Sequence, residues 1–241
     1  MMNVRIIGRG RAGGSLGIAL ERAGWSVSYV HRHDDVARAA WGVDEVVIAT
    51  PDAEVRSVAA RIQPVKSCPV IHLAGALTLD VLAPHHRRGS LHPLVSLPNP
   101  EIGSERLVGA WMAVSGEGTE TIARALSAHT FPVADEMRAL YHATAVVASN
   151  HLVALLGQVE RLAIACNVPF EAFLDLALGS LQNVADIGPS EALTGPVARR
   201  DWATVAKHLA ALSEHEHEAY IALARAAARL ANRAWPDDLE P

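Results

Sequence analysis

Hydrophobic residues follow two different rhythms along this chain. Up to about residue 134, short apolar runs alternate with amphipathic stretches. Val4-Arg5-Ile6-Ile7 reads as a strand, and Leu16, Ala19, Leu20 and Ala23 then recur at helical spacing. A second strand is expected over Ser26–His31, a short helix over Val36–Trp41, and a third strand at Glu45-Val46-Val47-Ile48-Ala49. Thr50-Pro51-Asp52 ends that strand and starts a helix reaching about Ile62, with Asp52 as a candidate cap. Further strands are expected at Val70-Ile71-His72-Leu73, Ser90-Leu91-His92-Pro93 and Trp111–Ser115, and a helix over Thr119–Ala128. This alternation predicts an α/β domain built on a parallel, doubly wound sheet. From Glu136 onward the period is helical throughout. Helices are expected over about Met137–Cys166, Phe170–Asp186, Asp201–Leu212 and Glu214–Trp235, punctuated by Pro169, Gly188-Pro189 and Gly195-Pro196. The boundary is placed near residue 134, giving an α/β domain over 1–134 and an all-α domain over 135–241.

The turn between the first strand and helix reads Gly8-Arg9-Gly10-Arg11-Ala12-Gly13, a G-x-G-x-x-G. In that context the pattern is the fingerprint of a Rossmann dinucleotide-binding domain. The first glycine permits the tight turn, the second admits a pyrophosphate, and the third lets helix and strand pack closely. The helix N-terminus adds free N–H groups and a partial positive charge. Gly8, Gly10, Arg11, Ala12 and Gly13 are therefore expected to bind cofactor. NAD-binding members of this fold place a carboxylate at the end of the second strand. Here that position reads His31-Arg32-His33, with no acid before Asp34. A cation there suits a 2′-phosphate, so NADP is favoured over NAD, with His31 and Arg32 as its contacts. Thr50 and Pro51 are expected to wall the nicotinamide side. The stretch before Glu45 has no room for the usual next strand, so the adenine side is expected to be shallow.

Charge and composition remove several classes. The chain has 241 residues, 50% of them apolar, and a net charge of −5. With no basic run beyond Arg87-Arg88 and Arg199-Arg200, nucleic acid is not an expected partner. Cys68 and Cys166 stand in no metal or redox spacing and read as buried thiols of a cytoplasmic protein. No metal site is expected: His85-His86 are adjacent, and His215-x-His217 among Glu214, Glu216 and Glu218 reads as solvated surface. Ala139–Val159 is long and uncharged enough to span a bilayer. His142, Ser149, Asn150, His151 and Gln158 would be costly in lipid, so it reads as a core helix and no membrane is expected.

Candidate chemistry lies at strand ends, where such folds carry their sites. His92 precedes Pro93 at a strand end and can exchange a proton with a substrate hydroxyl or carbonyl. His72 reads as a core histidine. Ser96 and Asn99 follow His92 in the same loop and could hold substrate polar groups. On the long helix, His142, Val146 and Asn150 are spaced by four and share a face. His92, His142 and Asn150 are the expected catalytic set.

The stretches Ile6–Gly13, Ala49-Thr50-Pro51-Asp52, His72-Leu73-Ala74-Gly75, Ser90-Leu91-His92-Pro93-Leu94, Tyr141-His142-Ala143 through Ala148-Ser149-Asn150, and Leu193-Thr194-Gly195-Pro196 with Arg199 and Asp201 carry a resemblance. The chain resembles the 6-phosphogluconate dehydrogenase-like superfamily, which includes pyrroline-5-carboxylate, ketopantoate and 3-hydroxyisobutyrate reductases or dehydrogenases. Within it, the nearer likeness is to a bacterial Rossmann-like family whose helical domain is of unknown function. The resemblance implies an NADP-linked oxidoreductase acting on a small polar substrate such as a 2-oxo acid or imine. It differs at one point. The superfamily's hydroxyacid dehydrogenases carry a catalytic Lys four residues before an Asn on the long helix, and this chain has Val146 there; its lysines are Lys66 and Lys207. His92-Pro93 is similar to the His-Pro motif of prephenate and arogenate dehydrogenases, whose His contacts the substrate hydroxyl. The alternative reading is a non-catalytic nucleotide-binding sensor or scaffold. The uncharged long helix suggests a homodimer through the helical domain.

Overall fold

The structure is a computed structural model that describes residues 1–31, 33–236 and 239. It divides into two compact units, Met1–His151 and Leu152–Pro241. The change of residue pattern falls earlier, near 134, because the start of the long helix is packed with the sheet.

The first unit holds a seven-stranded sheet in the order β2-β1-β3-β4-β5-β6-β7. Its strands are β1 (Asn3–Ile7), β2 (Ser26–Val30), β3 (Glu45–Ile48), β4 (Val70–His72), β5 (Arg88–Pro93), β6 (Trp111–Gly116) and β7 (His129–Pro132). The helices of this unit are α1 (Arg11–Arg22), α2 (Asp52–Arg61), α3 (Pro100–Arg106), α4 (Thr119–Ala125) and α5 (Arg138–Val146). Alternation along the strands builds a core on each face. Val46, Ile48 and Val70 pack with Val55, Val58 and Ala59 of α2. Ile6, Val47, Ile71 and Leu91 pack on the other face with Leu16 and Leu20 of α1 and Ile122 of α4. Both faces are covered, so the central strands are apolar at nearly every position.

Several expectations are corrected. The sheet is only mostly parallel: β5 and β6 pair antiparallel, with His92 opposite Ala113. The connection between them re-enters the sheet at the edge it left, and its one short helix, α3, packs on α1, with Arg22 donating to Ser104 Oγ. The strand β7, with its mostly exposed residues on the sheet edge, carried no alternation to reveal it. No helix forms over Val36–Trp41, and β2 is the outermost strand among the described residues. Asp34 and Asp35 accept the backbone N–H groups of His31 and Ala37, which fixes turns instead. Arg5 then donates to the carbonyls of Arg38, Ala39 and Trp41, which ties these turns to β1. Asp52 is the first helical residue of α2 rather than its cap, a place taken by Pro51. Cys166 is exposed, while Cys68 is buried and its thiol is pushed up to about 11 by burial, with Glu45 and Asp44 adding to the shift.

Glu45 opens β3 and is only 3% exposed, with Oε2 unpartnered among the described residues. Burial raises its carboxyl to about 7 against the opposing bond from Thr121. Since the folded value exceeds the unfolded one, the favourable state exists below about pH 4.5 and is lost as pH rises through about 7. Glu45→Gln is therefore expected to stabilise the protein by roughly 3 kcal/mol at pH 8 and by little at pH 4. Urea unfolding at the two pH values checks this; an equal gain at both would refute the buried-charge account.

The second unit is helical: α6 (Leu152–Ala165), α7 (Phe170–Ile187), α8 (Pro189–Ala192), α9 (Trp202–Ala211) and α10 (Glu214–Leu230). Asp201 caps α9 by accepting the Thr204 N–H at 3.1 Å. Val205, Ala224 and Ala228 form its core with Trp202 and Trp235. Glu216 is not part of a solvated face, as expected from the charge run, but is 3% exposed. Arg161 Nε and Nη2 donate to its two carboxylate oxygens at 2.7 and 3.0 Å. That bidentate pairing satisfies a charge that burial alone would penalise.

A five-residue π-helical segment, Val147–His151, interrupts the long helix between α5 and α6. Over Asp135–Ala165 this helix is long and apolar enough to cross a membrane by length and composition. The expectation of a core helix fails, because none of its most apolar window is buried. Its apolar residues are spread around the helix, so Leu140, Val147, Val153 and Ile164 remain uncovered.

Candidate active site

Strands β1, β3, β4 and β5 are neighbours and all parallel, so their carboxyl ends lie side by side along one edge. In spatial order that edge carries Gly8, Thr50, the segment Leu73-Ala74-Gly75, and His92. Three strand spacings, about 14 Å, separate the first from the last.

At the β1 end, Gly8 has φ +98°, a backbone conformation that side chains rarely adopt. A Cβ on Gly13 would lie 2.1 Å from the Gly8 carbonyl oxygen, so helix and strand close up only with glycine there. A Cβ on Gly10 would meet nothing within 4 Å and faces open space. Gly10 stands at the N-cap of α1, whose first-turn amides, those of Arg11, Ala12 and Gly13, have no intrahelical acceptor. A cavity of about 700 Å³ opens here, lined by Gly8, Arg9, Gly10, His31, His33, Thr50 and Pro51, and walled by α2. The Thr50 Oγ is buried and unpartnered among the described residues. An orphaned hydroxyl, a helix N-terminus and an open glycine cradle fit a dinucleotide phosphate. Gly8, Gly10, His31, Thr50 and Pro51 thus share one cavity. Arg11, Ala12 and Gly13 border it through the helix start, and Arg32 lies outside the described residues.

At the β5 end lies a cavity of about 520 Å³ that His92, Ser96, Tyr141, His142, Val146 and Asn150 help to line. All three expected catalytic residues therefore surround one space. His92 projects from the last residues of β5; His142 comes from α5 and Asn150 from the π-helical segment. Such π segments are rare and recur at functional sites. Asn150 is exposed rather than buried. Asn99 is not a cavity residue: its Oδ1 accepts the Ile102 N–H at 2.9 Å and caps α3.

Tyr141 is the residue that sequence reasoning missed. Its hydroxyl lies 2.6 Å from His92 Nδ1, and the two rings meet edge to face at 5.5 Å. The His92 and His142 rings are also edge to face, with centroids 5.9 Å apart. Burial pushes His92 down to about 4, with His142 and Arg138 adding to the shift. Burial also raises Tyr141 above the usual phenol range. Near pH 7 the pair is thus a neutral imidazole held by a neutral phenol. The other missed residue is Gly75. A Cβ there would lie 2.6 Å from His142 Cδ2 and 3.0 Å from His92 Nε2. Only glycine allows both imidazoles to come this close to the β4 loop. Its signal was a glycine just past a strand end, three residues after His72.

Beneath this cavity His72 is fully buried, as a core histidine should be, and burial together with Arg138 lowers it to about 4. Arg138 is itself 0% exposed; it donates Nη2 to Ser115 Oγ at 2.8 Å and Nε to Asp135 at 3.3 Å. No group of three His, Cys, Asp or Glu that could hold a metal occurs among the described residues.

Comparison with known proteins agrees with this architecture. Residues 112–227 match the family described as Domain of unknown function (DUF2520). No protein of curated function matches the chain in sequence. Among solved structures, a Bacteroides fragilis protein thought to be an NADP oxidoreductase superposes with a TM-score of 0.80 at 19% identity, covering 95% of this chain and 98% of that one. A Thermotoga maritima protein gives 0.66 at 22% identity, covering 95% and 100%. The 1-pyrroline-5-carboxylate reductase of Streptococcus pyogenes gives 0.64 at 14% identity, covering 95% and 98%. The chain thus shares with these structures a Rossmann-like fold and a helical C-terminal part, and its residues 112–227 match the DUF2520 family.

Proposed function

We propose that the protein is an NADP-dependent oxidoreductase of a small polar substrate, of the 2-oxo acid or imine type. One observation carries this reading: the glycine cradle and His92 stand at the same sheet edge, with Thr50 and Gly75 between them. The names of the neighbours, an NADP oxidoreductase and a pyrroline-carboxylate reductase among them, support the same class. A bound nicotinamide dinucleotide supplies the hydride or accepts it. The chain's own residues do the rest. First-turn amides of α1 bind the pyrophosphate, and Thr50 Oγ offers a hydrogen bond beside it. Tyr141 fixes the His92 ring through Nδ1, which leaves Nε2 to exchange a proton with substrate. In the oxidative direction the neutral imidazole takes the substrate's hydroxyl proton, and in the reductive direction the same nitrogen returns it. His142 and Asn150 orient the substrate's polar groups from across the cavity.

Fluorescence titration with NADPH tests the cofactor, and NADPH consumption against a panel of 2-oxo acids and cyclic imines tests the reaction. Saturable binding with turnover of a panel member supports the proposal; no binding refutes it. A second reading, a nucleotide sensor that lost the chemistry, is favoured by Val146 in the cavity wall where related hydroxyacid dehydrogenases carry a Lys. Binding without turnover of any panel member would support that reading.

The helical unit is proposed to pair with a second copy of this chain. In α7, Leu176, Leu178 and Leu181 are 65%, 64% and 59% exposed. An apolar groove of about 500 Å³ runs between α6 and α7, lined by Leu155, Leu156, Phe173 and Leu174. A monomer leaves this surface in water, and large contiguous apolar patches mark interfaces. Light scattering is expected to give a dimer, and Leu178→Glu a monomer; a monomeric wild type overturns the pairing.

A further inference from the structure

The cofactor cavity is closed on one side by an unusual wall. Because β2 is the outermost strand among the described residues, residues 33–44 have no further strand to enter and fold back instead on the end of α2. Gln63 N–H donates to the Ala37 carbonyl at 2.9 Å, and Val36 packs in one core with Val58 and Ile62. That contact brings α2 to the β2 end of the cavity. Ser57 and Arg61 of α2 line the same 700 Å³ space as His31, His33 and Arg9. Arg61 lies in the last turn of α2, where the helix dipole favours a cation.

The acids nearby are differently placed. Asp34 and Asp35 are held by the backbone N–H groups of His31 and Ala37, at 2.7 and 2.9 Å, and using them for a ribose would undo the turn. Glu54 also lines the cavity, but two helical turns before Arg61, about 10 Å along the axis, beside Pro51 and the glycine turn. The β2 end of the cavity therefore presents cations and histidines, while the one carboxylate among its described lining residues, Glu54, stands at the other end.

We propose that Arg61 is a specificity-determining residue, placing its guanidinium on the 2′-phosphate of an adenosine ribose from the α2 side. This rests on the reading of the cavity as a dinucleotide site. It assigns to a helix a task that this fold commonly gives to the end of the second strand, and the missing outer strand is the physical reason. A planar guanidinium binds a phosphate dianion through paired N–H donors, an interaction that a 2′-hydroxyl cannot repay.

The test compares NADPH and NADH binding to wild type, Arg61→Ala and Arg61→Glu by fluorescence titration, with adenosine 2′,5′-bisphosphate as competitor. Arg61 is exposed, so neither substitution disturbs the core. Arg61→Ala is expected to weaken NADPH and the bisphosphate roughly 10- to 50-fold and to leave NADH within about twofold, with Arg61→Glu more severe. Equal losses for NADPH and NADH, or none, overturn the assignment while leaving the dinucleotide site intact. A wild type that binds neither nucleotide overturns both.

Discussion

Replacing His92 with asparagine is expected to lower turnover by about 10²- to 10⁴-fold, the usual worth of a positioned acid/base. The dissociation constant for NADPH should change by less than about twofold, because the group acts on the proton of the reaction and not on cofactor binding. Tyr141→Phe should give a smaller loss in the same direction, since it frees the ring without removing it. The comparison needs steady-state rates and an independent NADPH titration for each variant. Unchanged turnover in the asparagine variant would remove His92 from the chemistry.

The same substitution has a readout that needs no substrate. His92 and His72 both sit near 4 in the folded protein, against an ordinary value of 6.5, chiefly through burial. A depressed histidine contributes stability above the unfolded value and loses it as pH falls through the folded one. Between about pH 6.5 and 4, then, the unfolded chain takes up protons that the folded chain refuses, and stability declines. Burial lowers His85 as well, while Glu45 works in the opposite sense over much of this range, so the net slope sums three histidines against one carboxyl. His92→Asn should flatten the acid limb by one proton. An unchanged slope would mean that His92 titrates as it does in water.

Gly13→Ala is expected to have the other large effect. The added methyl would stand 2.1 Å from Gly8 O and 2.9 Å from Ala49 Cβ, residues that directly follow β1 and β3. Neither atom is the far end of a flexible side chain, so α1 must lift away from β1. Overpacking of this kind costs about 1–3 kcal/mol and sometimes more. The shift also moves the first-turn amides away from their phosphate positions, so NADPH affinity should drop by at least about tenfold, the equivalent of 1.4 kcal/mol. Gly10→Ala provides the contrast. Its Cβ meets nothing within 4 Å, so the fold should tolerate it and any loss should fall on the ligand. Thermal melts beside NADPH titrations separate the two. A Gly13→Ala protein with wild-type melting and binding would refute the close-packing account.

Much of the first unit was legible because its signals are local. The short apolar runs of β1, β3 and β4 and the glycine turn each report on a few adjacent residues. The strand β7 was not legible, since an exposed edge strand has no buried face to impose alternation. The turns that replace the helix expected at Val36–Trp41 were not legible either, because they are held by Asp34, Asp35 and, from far away in sequence, Arg5. Among the site residues, His92 could be named from its place before Pro93 at a strand end. Tyr141 and Gly75 could not, because each matters only through an approach to His92 or His142 across the fold.

The sequence by itself determined the α/β unit, the helical remainder, the phosphate cradle and the histidine to watch, since strand, turn and helix propensities are properties of contiguous residues. The tertiary structure alone decided the reversal of β6 and β7, the neutrality of His92, and the turn of residues 33–44 onto α2 that puts Arg61 in one cavity with His31. Each of those depends on which surfaces meet and how deeply a charge is buried, quantities that no single stretch of chain contains.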